Sequence, residues 1–359
     1  MPGARHRQPI GEPIRLMVVD DSVTARTVFS RIIAREEDLE LVVEAATAEE
    51  ALEILTVADV DVILLDLEMP GMGGLEAMPQ LIEAAPEAQI LVVSSLTVEG
   101  AEPTLTALSL GAADTLAKPR PGTFDQEYRD RLLAKIRALG GAEPAIASPA
   151  AAALQRKAPD VRPASEKQPR ILAIGASTGG IHALGLFFRA LPVRLDMPIL
   201  VTQHLPASFM DAFARQLQQA SGRPATLAVE GLTLQADHIY VAPGTAHMTV
   251  VEGGGRYKIR LDKVPATSGC MPSVDPMFAS LAQAAGPHAL GVILSGMGRD
   301  GTLGAGEIVA AGGSIFVQDE ASCAVWGMPG SAAMAGLASC ILPPDRIAER
   351  VAKTAKVTA

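Results

Sequence analysis

At 359 residues the chain is too long for one ordinary domain, and 48% hydrophobic residues are enough for two cores. Aromatic residues make up only 3%, so Val, Ile, Leu and Ala must fill those cores, as they do in α/β layers around buried parallel strands. A net charge of −10 argues against a nucleic-acid surface, and the opening MPGARHRQPIGEP lacks the apolar stretch of a secretory signal.

Through residues 14–138 short apolar runs alternate with helical patterns. IRLMVVD, LELVVEA, VDVILLD, AQILVVSS and ADTLAKP read as strands, and the stretches between and after them as helices. Five βα units predict a doubly wound sheet with its functional residues at the strand C-termini. Asp20 and Asp21 close the first strand, Asp66 closes the third, and Lys118 follows the fifth. Three carboxylates on one rim repel one another unless a hard cation neutralises them, and Mg²⁺ suits carboxylates together with phosphate and water. A carboxylate beside Mg²⁺ and a lysine ammonium can attack a phosphoryl group. A single strand-end Asp is commonly a cap; the fourfold combination favours phosphoryl transfer.

VVDDS, LLDLEMPGMGGLE, VVSSLT and LGAADTLAKP resemble the response-regulator receiver family, whose fold is flavodoxin-like. The resemblance implies Asp66 as phospho-acceptor and Asp20, Asp21 and Asp66 as ligands of Mg²⁺. It also implies Ser94 as the hydroxyl switch residue and Lys118 as its cation. Two positions depart from the family pattern. Gly73-Gly74 stands for the usual Asp-Gly, and Thr115 for the usual aromatic.

Residues 139–169 are dominated by Ala, Pro and charged side chains without a repeating apolar face, and read as a flexible linker. Beyond it, in residues 170–357, the alternation resumes with ILAIGAS, PILVTQH, HIYVAP, ALGVILSG and SIFVQD as strands. MTVVEGGGRYKIRLD predicts a β-hairpin. The second domain is therefore Rossmann-like, a mostly parallel sheet with an antiparallel addition. Ala321–Pro344 carries no charge, yet its glycines and prolines argue against a membrane span. Cys270, Cys323 and Cys340 fit neither a disulfide frame nor a zinc spacing, and read as reduced thiols of a cytoplasmic protein, Cys270 and Cys323 as core thiols.

The turn GASTGG fits both a dinucleotide loop and a nucleophile elbow. The dinucleotide loop needs glycine where Ser177 stands, and an acid at the end of the next strand, where Gln203-His204 stands. The elbow, Gly175-x-Ser177-x-Gly179, needs a base and an orienting acid. His204 ends the second strand and Asp300 follows the SGMG loop, so Ser177, His204 and Asp300 form a nucleophile–base–orienter set on one rim. Amides of the SGMG loop, such as that of Met297, can bind an oxyanion. His6, His182, His238 and His288 read as surface or structural residues, and His247 stays open as a residue of the site.

IGASTGG, TQHLP, YVAPGTAHM, PSVD, VILSGMGRDG and DEASCAVWGMP resemble the catalytic domain of the chemotaxis protein-glutamate methylesterase family. That implies hydrolysis of glutamate γ-methyl esters on methyl-accepting chemotaxis receptors with release of methanol, and in some members deamidation of receptor glutamines. It implies Ser177 as nucleophile, His204 as base, Asp300 as orienting acid and Thr178 as a positioning neighbour, with no cofactor in this domain. A chemotaxis histidine kinase would phosphorylate Asp66 and relieve autoinhibition by the receiver. Met271 and Gly330 stand where the family commonly has Arg. Two alternatives follow: a receiver-gated hydrolase of another protein ester or amide, or a non-enzymatic, phosphorylation-gated binding module.

Overall fold

A computed structural model describes residues 12–94, 98–118, 125–141 and 159–355, divided between two compact units that part at Arg156/Lys157. The first unit runs β1 (Ile14–Val19), α1 (Val23–Ile33), β2 (Leu39–Ala45), α2 (Ala48–Ile54), β3 (Val62–Asp66), α3 (Gly74–Ala84), β4 (Gln89–Ser94), α4 (Val98–Leu110), β5 (Asp114–Ala117) and α5 (Gln126–Leu139). Its five strands are all parallel in the order β2-β1-β3-β4-β5. The apolar run VILLD is buried along its whole length because helices cover both sheet faces.

Local signals start the helices. The Ser22 side chain accepts from Ala25 N at 3.3 Å, and Asp125 accepts from Tyr128 N at 2.9 Å. Thr47 accepts from Glu50 N at 3.2 Å while the Glu50 carboxylate takes the Ala46 amide at 2.7 Å, a variant of the capping box. At α3 the chain folds back so tightly that a Cβ on Gly74 would lie 2.0 Å from the Asp66 carbonyl oxygen. Gly74 is therefore demanded by the strand end it touches. Gly73, at the N-cap, supplies no side-chain hydrogen bond.

The second unit contains β6 (Ile171–Ala176), α6 (Gly180–Ala190), β7 (Ile199–Gln203), α7 (Met210–Ser221), β8 (Ala225–Leu227) and β9 (Ile239–Val241). The hairpin β10 (His247–Gly253) and β11 (Arg256–Asp262) comes next, then α8 (Val274–Ala285), β12 (Ala289–Ile293), α9 (Thr302–Ala310), β13 (Ser314–Gln318), α10 (Gly327–Met334), β14 (Cys340–Leu342) and α11 (Pro344–Thr354). Seven parallel strands lie in the order β14-β13-β12-β6-β7-β9-β8. The hairpin is a separate antiparallel pair; its Met248, Val250 and Ile259 join Met277 and Leu281 of α8 in one buried cluster.

The strand order reverses at β6. The chain first grows outward through β7 toward β9, then returns to place β12 on the other side of β6. That is the switch point where open α/β sheets hold their ligands. Two three-residue edge strands, β8 and β14, are additions to the sequence reading. Each is too short to show a period, and pairing with a neighbour defines it.

Of the expected linker, residues 142–158 lie outside the described residues. Residues 159–169 lie on the second unit, where Arg162 N donates to Ala338 O at 2.9 Å and Ser165 N to Ser314 Oγ at 2.8 Å. The charge-free stretch 321–344 holds the short α10 and β14, and among the described residues no helix is long and apolar enough to cross a membrane.

Overpacking at the Asp66 strand end is directly testable. Gly74→Ala is expected to destabilise the first unit by about 1–3 kcal/mol, seen as an earlier first midpoint in urea unfolding of the full chain. Midpoints identical to wild type would show that the strand end yields at no cost.

Candidate functional sites

In the first unit, the ends of β1 and β3 bring Asp20, Asp21 and Asp66 together, with carboxylate oxygens within 4.8 Å of one another. Asp20 and Asp66 are both buried. Lys118, just after β5, donates from Nζ to Asp66 Oδ2 at 2.6 Å and sits 3.1 Å from Asp20 Oδ2. Burial pushes the Asp66 carboxyl up; Lys118 pulls it down and Asp20 pushes it up again, leaving it above its usual range. Burial works against the Lys118 ammonium, but the carboxylates of Asp66 and Asp20 hold its proton more strongly than usual.

One lysine cannot neutralise three carboxylates. Asp20 Oδ2 is buried and, among the described residues, receives no hydrogen bond of good geometry even from Lys118. An open buried acceptor among carboxylate oxygens fits a hard, oxygen-seeking divalent cation. At the end of the adjacent β4, the Ser94 hydroxyl is buried and hydrogen-bonds the Thr104 hydroxyl at 2.8 Å. Thr115 is also buried, and its Oγ1 lacks a hydrogen-bond partner among the described residues.

In the second unit, Ser177 and His204 follow directly on the paired residues Ala176 of β6 and Gln203 of β7. His204 N donates to Ala176 O at 3.1 Å, and Gln203 Nε2 to Ser177 O at 2.9 Å, so the two turns are stitched side by side. Gly179, with φ +76°, takes the left-handed conformation that ends the turn; a Cβ there would meet Ala324 at 2.4 Å and Ser295 Oγ at 2.6 Å. Ser295 ties this turn to the loops after β12 and β13. Its hydroxyl donates to Thr178 O at 2.7 Å, and its amide to Gln318 Oε1 at 2.8 Å. Thr178 is itself buried, and Met297, in the next part of that loop, is partly exposed.

Asp300 is 2% exposed, and a carboxylate taken so far from water needs strong partners. It has five. The amides of Val274 at 2.7 Å, Asp275 at 3.2 Å and Gly301 at 3.0 Å donate to it, as do the Ser273 hydroxyl at 2.6 Å and His204 Nε2 at 2.8 Å. Ser273, Val274 and Asp275 form the N-terminus of α8, so the carboxylate also sits at the positive end of that helix. Burial raises the Asp300 carboxyl, but the bonds from His204, Ser273 and Val274 outweigh it and hold it well below the usual range. Burial also lowers the His204 imidazole; Asp300 and then the Cys270 sulfur reverse this, raising it to about 9. Asp275 is pushed up to about 6, first by burial, with the Asp300 charge adding to it.

The spatial arrangement resolves His247, which the sequence left open, and adds Ser273 to the site. His247 is fully buried beneath the site: its Nδ1 accepts the Ser273 amide at 2.9 Å, so its proton lies on Nε2, which donates to Val264 O at 2.9 Å. His247 thus braces Ser273, and Ser273 braces Asp300. Cys270 corrects the sequence reading: Cys323 is a core thiol, but Cys270 is half-buried in the site, its Sγ within 4.8 Å of a ring nitrogen of His204 and an oxygen of Asp300. No spacing rule could have found it, because residues 204, 270 and 300 meet only in the folded unit. Gly330 is buried beneath Trp326, where a Cβ would come within 2.8 Å of the indole ring. His238 stacks on Tyr240 and His288 bonds Gln168 O, both structural roles.

Comparison with known proteins agrees with this division. The family model described as CheB methylesterase matches residues 172–351, and the response regulator receiver domain model matches residues 16–127. A protein-glutamate methylesterase/protein-glutamine glutaminase of Bradyrhizobium diazoefficiens is 41% identical, with 94% of this chain and 93% of the relative covered. One from Rhodospirillum rubrum is 39% identical, with 96% of each covered. The crystal structure of the Thermotoga maritima CheB methylesterase catalytic domain is similar to the second unit at 33% identity and a TM-score of 0.51, spanning 52% of this chain and 99% of that domain.

The electrostatics of the second site can be measured directly. His204 is expected to titrate near pH 9 in imidazole NMR, protonated below and neutral above. Asp300→Asn removes the charge that holds the proton, so the midpoint should move toward lower pH. A midpoint unmoved by Asp300→Asn would disprove the ion-pair account.

Proposed function

The chain belongs to the CheB methylesterase family and carries a response-regulator receiver domain, and on that premise we propose a phosphorylation-regulated serine hydrolase. Its substrates are glutamate γ-methyl esters on methyl-accepting chemotaxis receptors, and its products are the glutamate carboxylate and methanol. Receptor glutamines are a second substrate, with ammonia as the leaving group. The observation that carries the reading is the His204–Asp300 hydrogen bond at the β6 switch point, next to the turn that holds Ser177.

The chemistry follows from those groups. His204 in its neutral form, the minor one below about pH 9, takes the proton of Ser177 Oγ as the oxygen attacks the ester carbonyl. Asp300 stabilises the imidazolium that forms, and its five partners keep it in place while charge moves. The Met297 amide, in the loop tethered by Ser295, is the candidate oxyanion donor, worth roughly 3 kcal/mol in the transition state. Thr178 is the candidate positioning neighbour. His204 then protonates the departing methoxide, and water, activated by the same imidazole, releases the glutamate carboxylate and regenerates Ser177.

In the receiver, Asp66 is the phospho-acceptor, with a chemotaxis histidine kinase as donor. Asp20, Asp21 and Asp66 would hold Mg²⁺, which when bound neutralises phosphoryl oxygens. Lys118 supplies a fixed positive charge on the same rim, and the Ser94 hydroxyl, now turned to Thr104, is the candidate switch. Phosphorylation adds charge and acceptor oxygens there and relieves inhibition of the catalytic domain.

Two measurements test this reading. Ser177→Ala should lower methanol release from methylated receptor membranes by about a thousandfold or more; undiminished release would end the serine mechanism. A receiver phosphodonor with Mg²⁺ should raise the activity of wild type but not of Asp66→Asn, and equal stimulation of both would refute the gating. Hydrolysis of a simple soluble ester without any action on receptors would point to a different protein ester or amide.

A further inference from the structure

The catalytic rim holds one more reactive group than ester hydrolysis uses. Cys270 Sγ, a ring nitrogen of His204 and a carboxylate oxygen of Asp300 lie within 4.8 Å of one another. Imidazole nitrogen, thiolate sulfur and carboxylate oxygen are the three donor types of zinc sites, and three protein ligands with an open fourth position is a usual zinc arrangement. Among the described residues this is one of two such clusters. The other, Asp20, Asp21 and Asp66, offers oxygen alone, which suits Mg²⁺.

The loop that carries Cys270 is held in place at both ends. His247 binds Val264 O on one side and Ser273 N on the other. Between them Gly269 N donates to Ala266 O at 2.9 Å, Cys270 N to Ser268 Oγ at 3.3 Å, and Ser268 Oγ to Ser273 Oγ at 3.1 Å. The Asp300 carboxylate is oriented by Ser273 and by three amides, the kind of outer support that fixes metal ligands. Cys270 is half-buried and the His204 side chain is 17% exposed, so an ion from solvent can reach both. Among the described residues neither of the other two thiols belongs to such a cluster: Cys323 is buried, and burial pushes the Cys340 thiol up to about 12.

We propose that His204, Cys270 and Asp300 form an inhibitory site for a thiophilic divalent cation of the Zn²⁺ type. On binding, the Cys270 S–H bond breaks, a metal–sulfur bond forms, and the proton passes to solvent. The His204 imidazolium likewise releases a proton to solvent so that a ring nitrogen becomes a ligand, and Asp300 exchanges its hydrogen bond from His204 for the metal. The imidazole then has no free lone pair for the Ser177 proton, and hydrolysis stops until the ion is removed. The loss of activity rests on the reading of Ser177 and His204 as nucleophile and base; the metal site itself does not.

Co²⁺ serves as the probe because a thiolate ligand gives it a sulfur-to-metal charge-transfer band, which the carboxylate cluster of the receiver cannot. The full-length protein, titrated with Co²⁺ in excess Mg²⁺, should develop that band. Ser177→Ala, Cys323→Ser and Cys340→Ser should keep it, and Cys270→Ser should lose it while melting like wild type. In parallel, Zn²⁺ should suppress hydrolysis of a soluble ester reversibly with EDTA, and Cys270→Ser should need about tenfold more or greater. No band in the wild type, or a band that survives in Cys270→Ser, overturns the site. A band with the expected Cys270 dependence but no effect of Ser177→Ala on hydrolysis would keep the metal site and reject the serine mechanism instead.

Discussion

A buried carboxylate organises the catalytic unit. Asp300 is nearly free of solvent, and leaving it unpaired would cost several kcal/mol. Its stability there depends on α8, whose first amides and Ser273 cap bind it, and on the start of α9, whose Gly301 amide does the same. Those contacts fix the ends of two helices against the switch point of the sheet. What remains of its bonding capacity goes to His204. Helix packing, loop position and the protonation of the imidazole are thus set by one group, which is why the buried His247 and Ser273 belong to the same machine.

The two domains solve related problems on similar sheets with different chemistry. Each places its reactive side chains where strand order reverses, at the C-terminal ends of parallel strands. In the receiver the rim is acidic and oxygen-rich, with Lys118 set against three carboxylates, a setting for a hard cation and phosphoryl transfer. In the catalytic domain the rim carries a hydroxyl, an imidazole and a carboxylate, and the carboxylate is satisfied by protein donors alone. In the proposed mechanism that leaves the imidazole to handle protons. The added thiol of Cys270 helps hold the His204 proton and gives this rim a third type of metal donor.

Much of this was legible from local patterns. The βα alternation, the strand ending at Asp66, the strands ending one residue before Ser177 and His204, and the hairpin all follow from runs whose period or composition is local. The edge strands Ala225–Leu227 and Cys340–Leu342 did not show, because three residues carry no period and their pairing is supplied by a neighbour. Gly330, which reads as a lost cation, sits instead under the Trp326 ring, a packing fact that no motif encodes.

The sequence by itself determined the element types, the order of the two domains and the residue chemistry at the strand ends, since strand and helix periods and glycine turns are local properties of the chain. It also carried both family resemblances, which rest on contiguous motifs. Only the tertiary structure decided which groups meet. It took Ser273 and His247 from the region around the hairpin and made them supports of Asp300, and it set Cys270 beside His204. The reason is physical. Contacts between residues 26 to 96 positions apart depend on how helices and strands pack, and no local pattern records that packing.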